Sequence, residues 1–254
     1  MNYETGSRGS LRFSIFGIPA EIQPSSWVIL GILGLSMYST IPSPLQPTLI
    51  FVVVGMLTVL AHELGHALAS RAFTRVTPII IIGNLGGITY SPVPMPTRAK
   101  NFLMVLAGPV AGFALGLAIA VLLGVQIGDV WAAITIYVME PLSFIPAVQV
   151  PMDSYIALGQ AMEAGAVTRF ALMLYSSFFM VCFWWTLFSL MPILPMDGGQ
   201  LLLTATNNPK LSAGIGLCIG ALLCLWFLMH GGIFMTLMLG WLAWYNWRIL
   251  KQFS

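Results

Sequence analysis

Long apolar runs separated by short polar joints dominate this chain. Six stretches, at about 26–43, 47–71, 101–124, 168–191, 211–229 and 232–248, reach or approach the ~20 residues a helix needs to cross a bilayer. One further apolar segment, DVWAAITIYVMEPLSFIPAVQVP (129–151), is broken by Glu140, Pro141 and Pro146. It is expected to lie on the outer interface or to dip into it as a re-entrant segment. Two tracts follow a different rhythm. LRFSIFGIPAEIQ (11–23), with turn-forming Gly17 to Pro19, reads as a β-hairpin ahead of the first span. TPIIIIGNLGGITYS (77–91) is β-branched and aromatic, with Gly83, Gly86 and Gly87 as breakers. A strand at membrane depth has its backbone groups satisfied by protein or water, so this tract is expected to line a cavity or pack on protein. The pattern predicts an all-α integral membrane protein of about six transmembrane helices with a small membrane-associated β region. Its expected parts are an N-terminal interfacial hairpin segment (1–25) and a membrane core (26–254).

Composition agrees. Of 254 residues, 58% are hydrophobic and 7% charged, with a mean hydropathy of +0.92, where soluble domains carry roughly 25% charge. The placement of charge is more informative than its sum. With the N-terminus inside, Arg8, Arg12, Arg71, Arg75, Arg98, Lys100, Lys210, Arg248 and Lys251 all fall on the inner side, and only Arg169 falls outside. The positive-inside rule therefore favours six spans with both termini cytosolic, and the expected location is a prokaryotic plasma membrane. The first 25 residues lack an apolar signal region and read as retained. Cys182, Cys218 and Cys224 form no CxxC pair, so neither a disulfide framework nor a thiolate metal site is indicated. No basic stripe or nucleic-acid motif occurs, which sets nucleic-acid partners aside.

Chemistry enters at VLAHELGHALAS (59–70), where two histidines and a glutamate interrupt an uncharged run. Ionisable groups in hydrocarbon are costly and usually functional. In His62-Glu63-Leu64-Gly65-His66, the i and i+4 imidazoles lie about 40° apart around a helix and can share a metal ion. Glu63, offset by about 100°, suits a base acting on a metal-polarised water. A third protein ligand is needed. His230 and the acidic residues 129, 140, 153 and 163 fall on the opposite side by the charge pattern. Asp197, in SLMPILPMDGG after the fourth apolar run, falls on the same side. Taken alone, it also reads as the N-cap of the next helix.

HExxH together with SLMPILPMDG resembles the site-2 protease family of intramembrane zinc metalloproteases, which pairs HExxH with NxxPxxPxDG. SIFGIPAEIQPSSW (14–27), LGGITY (85–90) and AGPVAGF (107–113) are similar to further parts of that family, and the resemblance covers most of residues 12–205. It implies one Zn2+ held by His62, His66 and Asp197, Glu63 as general base and then acid, and hydrolysis of peptide bonds within or near transmembrane segments toward the cytosolic side. Expected partners are a single-span membrane-protein substrate and lipid; no oligomeric state is implied. Such a substrate must unwind, and residues 83–90 are expected to offer it a strand edge, with Asn84, Gly86, Gly87 and Ser189 as substrate-binding residues. Gly108, Gly112 and Gly116 form a small-residue stripe expected to pack the active-site helices closely. The expected organisation is a minimal membrane core without a PDZ or CBS domain. Ser189 and Gly112 stand where the family usually has asparagine, and Gln23 replaces a frequent histidine. The Ser189 departure supports one alternative, a catalytically weak scaffold that binds transmembrane helices as a regulator. A metal transporter is less consistent, because neither repeat symmetry nor a midplane polar cluster is visible.

Overall fold

The computed structural model describes residues 9–83, 86–143 and 145–253. β1 (Leu11–Ile15) and β2 (Ile18–Ile22) form an antiparallel hairpin. Phe16 and Gly17 both adopt positive φ, 50° and 73°, as a two-residue turn matched to strand twist requires. The turn thus falls just before the expected Gly17–Pro19, because Ile18 is drawn fully into the core. Pro19 is tolerated in β2 because the parallel ladder to the next strand runs only from Ala20 to Ile22, so no donor is missed. β3 (Ile79–Gly83) and β4 (Gly86–Tyr90) form the second hairpin, and the sheet order is β1-β2-β3-β4. One face of this sheet buries Ile18, Ala20, Ile22, Ile80 and Ile82 against Met56, Val59 and Ala67.

Those last three residues belong to α2 (Leu45–Thr74), a 30-residue helix that is the central post of the fold. α1 (Pro24–Met37) precedes it and packs closely through Gly34, where a Cβ would lie 3.0 Å from the Thr48 methyl. α3 (Arg98–Ile127) crosses α2, starting at Thr97, whose side chain accepts from the Lys100 amide. α6 (Arg169–Ser189) completes the inner trio, and α7 (Asp197–Thr206) follows after a proline-containing loop. α8 (Pro209–Met229) and α9 (Ile233–Leu250) form a final antiparallel pair.

Among the described residues, four helices, α2, α3, α6 and α8, are long and apolar enough to cross a membrane. The other two expected spans fall short of that standard. α1 has 14 residues, about 21 Å of rise, and stops before a joint containing Pro42 and Pro44. α9 has 18 residues, but Asn246 and Arg248 dilute its second half. Segment 129–151 is mainly α4 (Val130–Met139) and a 3-10 turn, Glu140–Leu142. Ten helical residues rise only about 15 Å, so α4 does not cross. One face of it buries Ala133, Ile136 and Tyr137 in a core with Val54, Ala120 and Phe179, while Trp131 is exposed. α5 (Met152–Glu163) packs beside it, with the Tyr155 hydroxyl donating to the Glu140 carboxylate.

Candidate metal centre

α2 carries His62, Glu63 and His66 on a buried stretch. The i, i+4 spacing brings the two rings together edge to face, centroids 4.8 Å apart and Nε2 atoms 3.1 Å apart. His66 Nδ1 lies 2.9 Å from the Met104 carbonyl oxygen of α3, to which it donates. The lone pair of that ring is therefore on Nε2 and faces His62. The close approach of α3 depends on glycine. A Cβ at Gly108 would lie 2.2 Å from His66 Nε2, and one at Gly65 would lie 2.3 Å from the Ala107 carbonyl oxygen. Gly112 lies near His62 and Thr186, and Gly116 admits the Tyr137 hydroxyl. The stripe packs helices around the histidines, as expected.

Asp197 arrives from 135 residues away. Its Oδ2 lies 2.9 Å from His62 Nε2 and its Oδ1 3.4 Å from His66 Nε2. α6 ends at Ser189 ahead of Pro192, and α7 begins at Asp197 itself. Gly198 and Gly199 make this possible by close approach, with no positive φ at either. A Cβ at Gly198 would lie 1.9 Å from the Leu190 carbonyl oxygen, and one at Gly199 2.5 Å from Leu194 N. The first turn of α7 thus lies directly on the backbone of the preceding loop. The far end of α7 is tied down as well: the Arg98 guanidinium donates to the Thr204 and Ala205 carbonyls at 2.7 and 3.1 Å, a cation at a helix C-terminus. Burial pushes the Asp197 carboxyl up, but the two imidazoles beside it outweigh that and hold the group at about 2.

The donor set suits a small, borderline-soft cation. Zinc bound tetrahedrally at 2.0–2.2 Å spaces its ligand atoms about 3.3–3.6 Å apart; here the two Nε2 atoms stand 3.1 Å apart, with Asp197 Oδ2 2.9 Å from His62 Nε2 and Asp197 Oδ1 3.4 Å from His66 Nε2. His62, Glu63 and His66 offer metal-binding atoms within 4.8 Å of one another. Asp197, not Glu63, faces both Nε2 atoms; the Glu63 carboxylate is engaged elsewhere, since Thr89 Oγ1 donates to its Oε2 at 2.8 Å and lies 3.0 Å from the Glu63 carbonyl oxygen.

The centre opens into a cavity of about 520 Å3. Gln23, Gly86, Gly87 and Ser189 line it, together with Trp185 and Trp241. Ser189 reaches the wall, but its hydroxyl donates to the Thr186 carbonyl of its own helix at 2.9 Å. Gly87 lacks a side chain because Glu63 occupies that space: a Cβ there would lie 2.1 Å from Glu63 Cγ. The close neighbour of Gly87 is thus the Glu63 side chain, and Gly87 also lines the cavity. Gly86, with φ 124°, faces the Trp185 ring. Asn84 lies outside the described residues. His230 is apart from the centre, donating to the Trp226 carbonyl and stacked on that indole at the end of α8. Sequence reasoning missed Thr89, Met104, Trp185 and Trp241. Alternation gave a signal for Thr89, which shares a strand face with Gly87; a backbone carbonyl such as that of Met104 leaves none.

A family model described as Peptidase family M50 matches residues 50–227. A Synechocystis sp. protein named as a zinc metalloprotease, sll0528, is 27% identical over 251 residues, covering 90% of this chain and 56% of that protein. The chain therefore spans little more than half the length of that relative. Among solved structures, the site-2 protease from Methanocaldococcus jannaschii superposes with a TM-score of 0.54 at 18% identity, covering 95% of each chain. That likeness is one of fold.

Proposed function

The chain belongs to peptidase family M50, and on that premise we propose that it is a zinc metalloendopeptidase that cuts peptide bonds within or near transmembrane segments, with its centre toward the cytosolic side. The observation that carries the reading is the 2.9 Å approach of Asp197 to His62 across 135 residues, beside a buried glutamate. His62, His66 and Asp197 would hold Zn2+, which when bound acidifies a water and polarises the scissile carbonyl. Glu63 takes the proton from the attacking water as oxygen adds to the carbonyl carbon. It then returns that proton to the leaving nitrogen as the C–N bond breaks. β4 is the edge of the sheet, so an unwound substrate can lay its backbone along it and recover hydrogen bonds lost from its helix. The cavity beside β4 is lined mostly by apolar and aromatic side chains, which suits a substrate drawn from the bilayer. Basic residues clustered at one set of helix ends support a cytosolic orientation of that side. The scaffold alternative is not favoured, since the proposed ligands and Glu63 are all present.

The test is purification in detergent, zinc analysis, and cleavage assays on a panel of single-span substrates. Wild type is expected to hold one zinc ion per chain and to cleave. Glu63→Gln is expected to retain zinc and lose cleavage. Full activity in that variant removes Glu63 as the base; a wild-type chain that binds no zinc removes the metalloprotease reading.

A further inference from the structure

We propose that Thr89 is a positioning residue that ties the strand offered to substrate to the catalytic carboxylate, so that one β-strand serves both. This rests on the protease reading above. Three observations converge on it. Thr89 Oγ1 donates to Glu63 Oε2 at 2.8 Å and sits 3.0 Å from the Glu63 carbonyl oxygen, so the hydroxyl contacts both the side chain and the backbone of one residue. Gly87, two residues earlier and therefore on the same face of β4, leaves room only for the Glu63 stem, since any Cβ there would collide with Cγ, Cδ and Oε1. Thr89 pairs with Ile80 and Gly87 with Ile82 in the β3–β4 ladder, and both isoleucines are fully or almost fully buried beneath the sheet. The strand is thus anchored to the core on one side and grips Glu63 through alternate residues.

The consequence is geometric. A glutamate has three rotatable side-chain bonds, and a base must be held near its productive geometry to be efficient. With Oε2 engaged by Thr89, Oε1 is left to meet the proton it must accept. One strand thus offers its edge to an extended peptide and holds the base in place through one hydroxyl, without direct contact between Thr89 and substrate.

Thr89→Val removes the donor and keeps the shape and β-branching; Thr89→Ser restores the donor. The measurements are kcat and KM on a cleaved single-span substrate, zinc content, and the Kd of the zinc-loaded chain for an uncleavable extended peptide. For Thr89→Val the expected result is a kcat about 10- to 100-fold lower, with zinc content, KM and peptide Kd each within about twofold of wild type, and with most of the kcat recovered in Thr89→Ser. A Thr89→Val kcat within twofold of wild type overturns the proposal. So does a loss confined to KM and peptide Kd, which would make Thr89 a substrate contact, or a Thr89→Ser variant as slow as Thr89→Val. Failure of the underlying reading looks different: wild type itself would not cleave, or Glu63→Gln would cleave as well as wild type.

Discussion

His66 and Met104 meet through a 2.9 Å hydrogen bond from the ring Nδ1 to the backbone carbonyl, and this contact decides which face of the imidazole is available to a metal. The other nitrogen is left bearing its lone pair toward His62 and Asp197. A partner on the non-ligating nitrogen fixes ring orientation and raises ligand basicity. The carbonyl that does this belongs to α3, so ligand geometry depends on how closely α3 and α2 approach.

Gly108→Ala tests that dependence. Its Cβ would lie 2.2 Å from His66 Nε2 and 2.3 Å from Cε1, and the ring cannot retreat without giving up Met104. Zinc content of the purified variant should fall well below one ion per chain while the protein stays helical by circular dichroism. Full zinc occupancy would show that the ring has another place to go.

Gly65→Ala probes the same helix contact without touching a ligand. Here the new methyl meets the Ala107 carbonyl oxygen at 2.3 Å and the Ala111 methyl at 2.7 Å, both on the rigid surface of α3. Overpacking of this kind typically costs about 1–3 kcal/mol. A lowered thermal midpoint in detergent is expected, and a variant as stable as wild type would mean that α2 and α3 separate freely.

Asn246→Ala addresses the loop that delivers Asp197. Asn246, fully buried on α9, donates to the Leu194 carbonyl at 2.7 Å and to the Leu242 carbonyl at 2.8 Å. Removing it leaves the Leu194 carbonyl without that donor, at a cost of about 1–3 kcal/mol. Both thermal stability and zinc affinity, the latter by competition with a chelator, should fall, because the loosened residues lie three positions before Asp197. An unchanged zinc affinity would show that α7 alone holds the carboxylate.

Some of the site was legible in local pattern. The HExxH spacing is a property of one helix, so the shared face of His62 and His66 follows from helical geometry wherever the helix lies. The two prolines and two glycines around Asp197 signal a break in the helix, and tertiary packing adds a role for the glycines that pattern does not show: Gly198 and Gly199 admit neighbouring backbone, with no positive φ at either. Ser189 is expected at the substrate from its position in a motif; it lines the cavity, and its hydroxyl bonds within α6. A short polar side chain on a helix competes for the nearest carbonyl, and only coordinates reveal which one it finds.

By itself the sequence determined a membrane protein with paired imidazoles on one helix and two β tracts, because composition and periodicity act over a few neighbouring residues. Tertiary structure alone decided that the two hairpins fuse through the parallel β2–β3 pairing, that α4 is core, and that Gly87 yields its space to Glu63. Those outcomes turn on contacts between elements tens of residues apart, where backbone meets backbone and a single Cβ would exclude the neighbour. No periodicity records such distances.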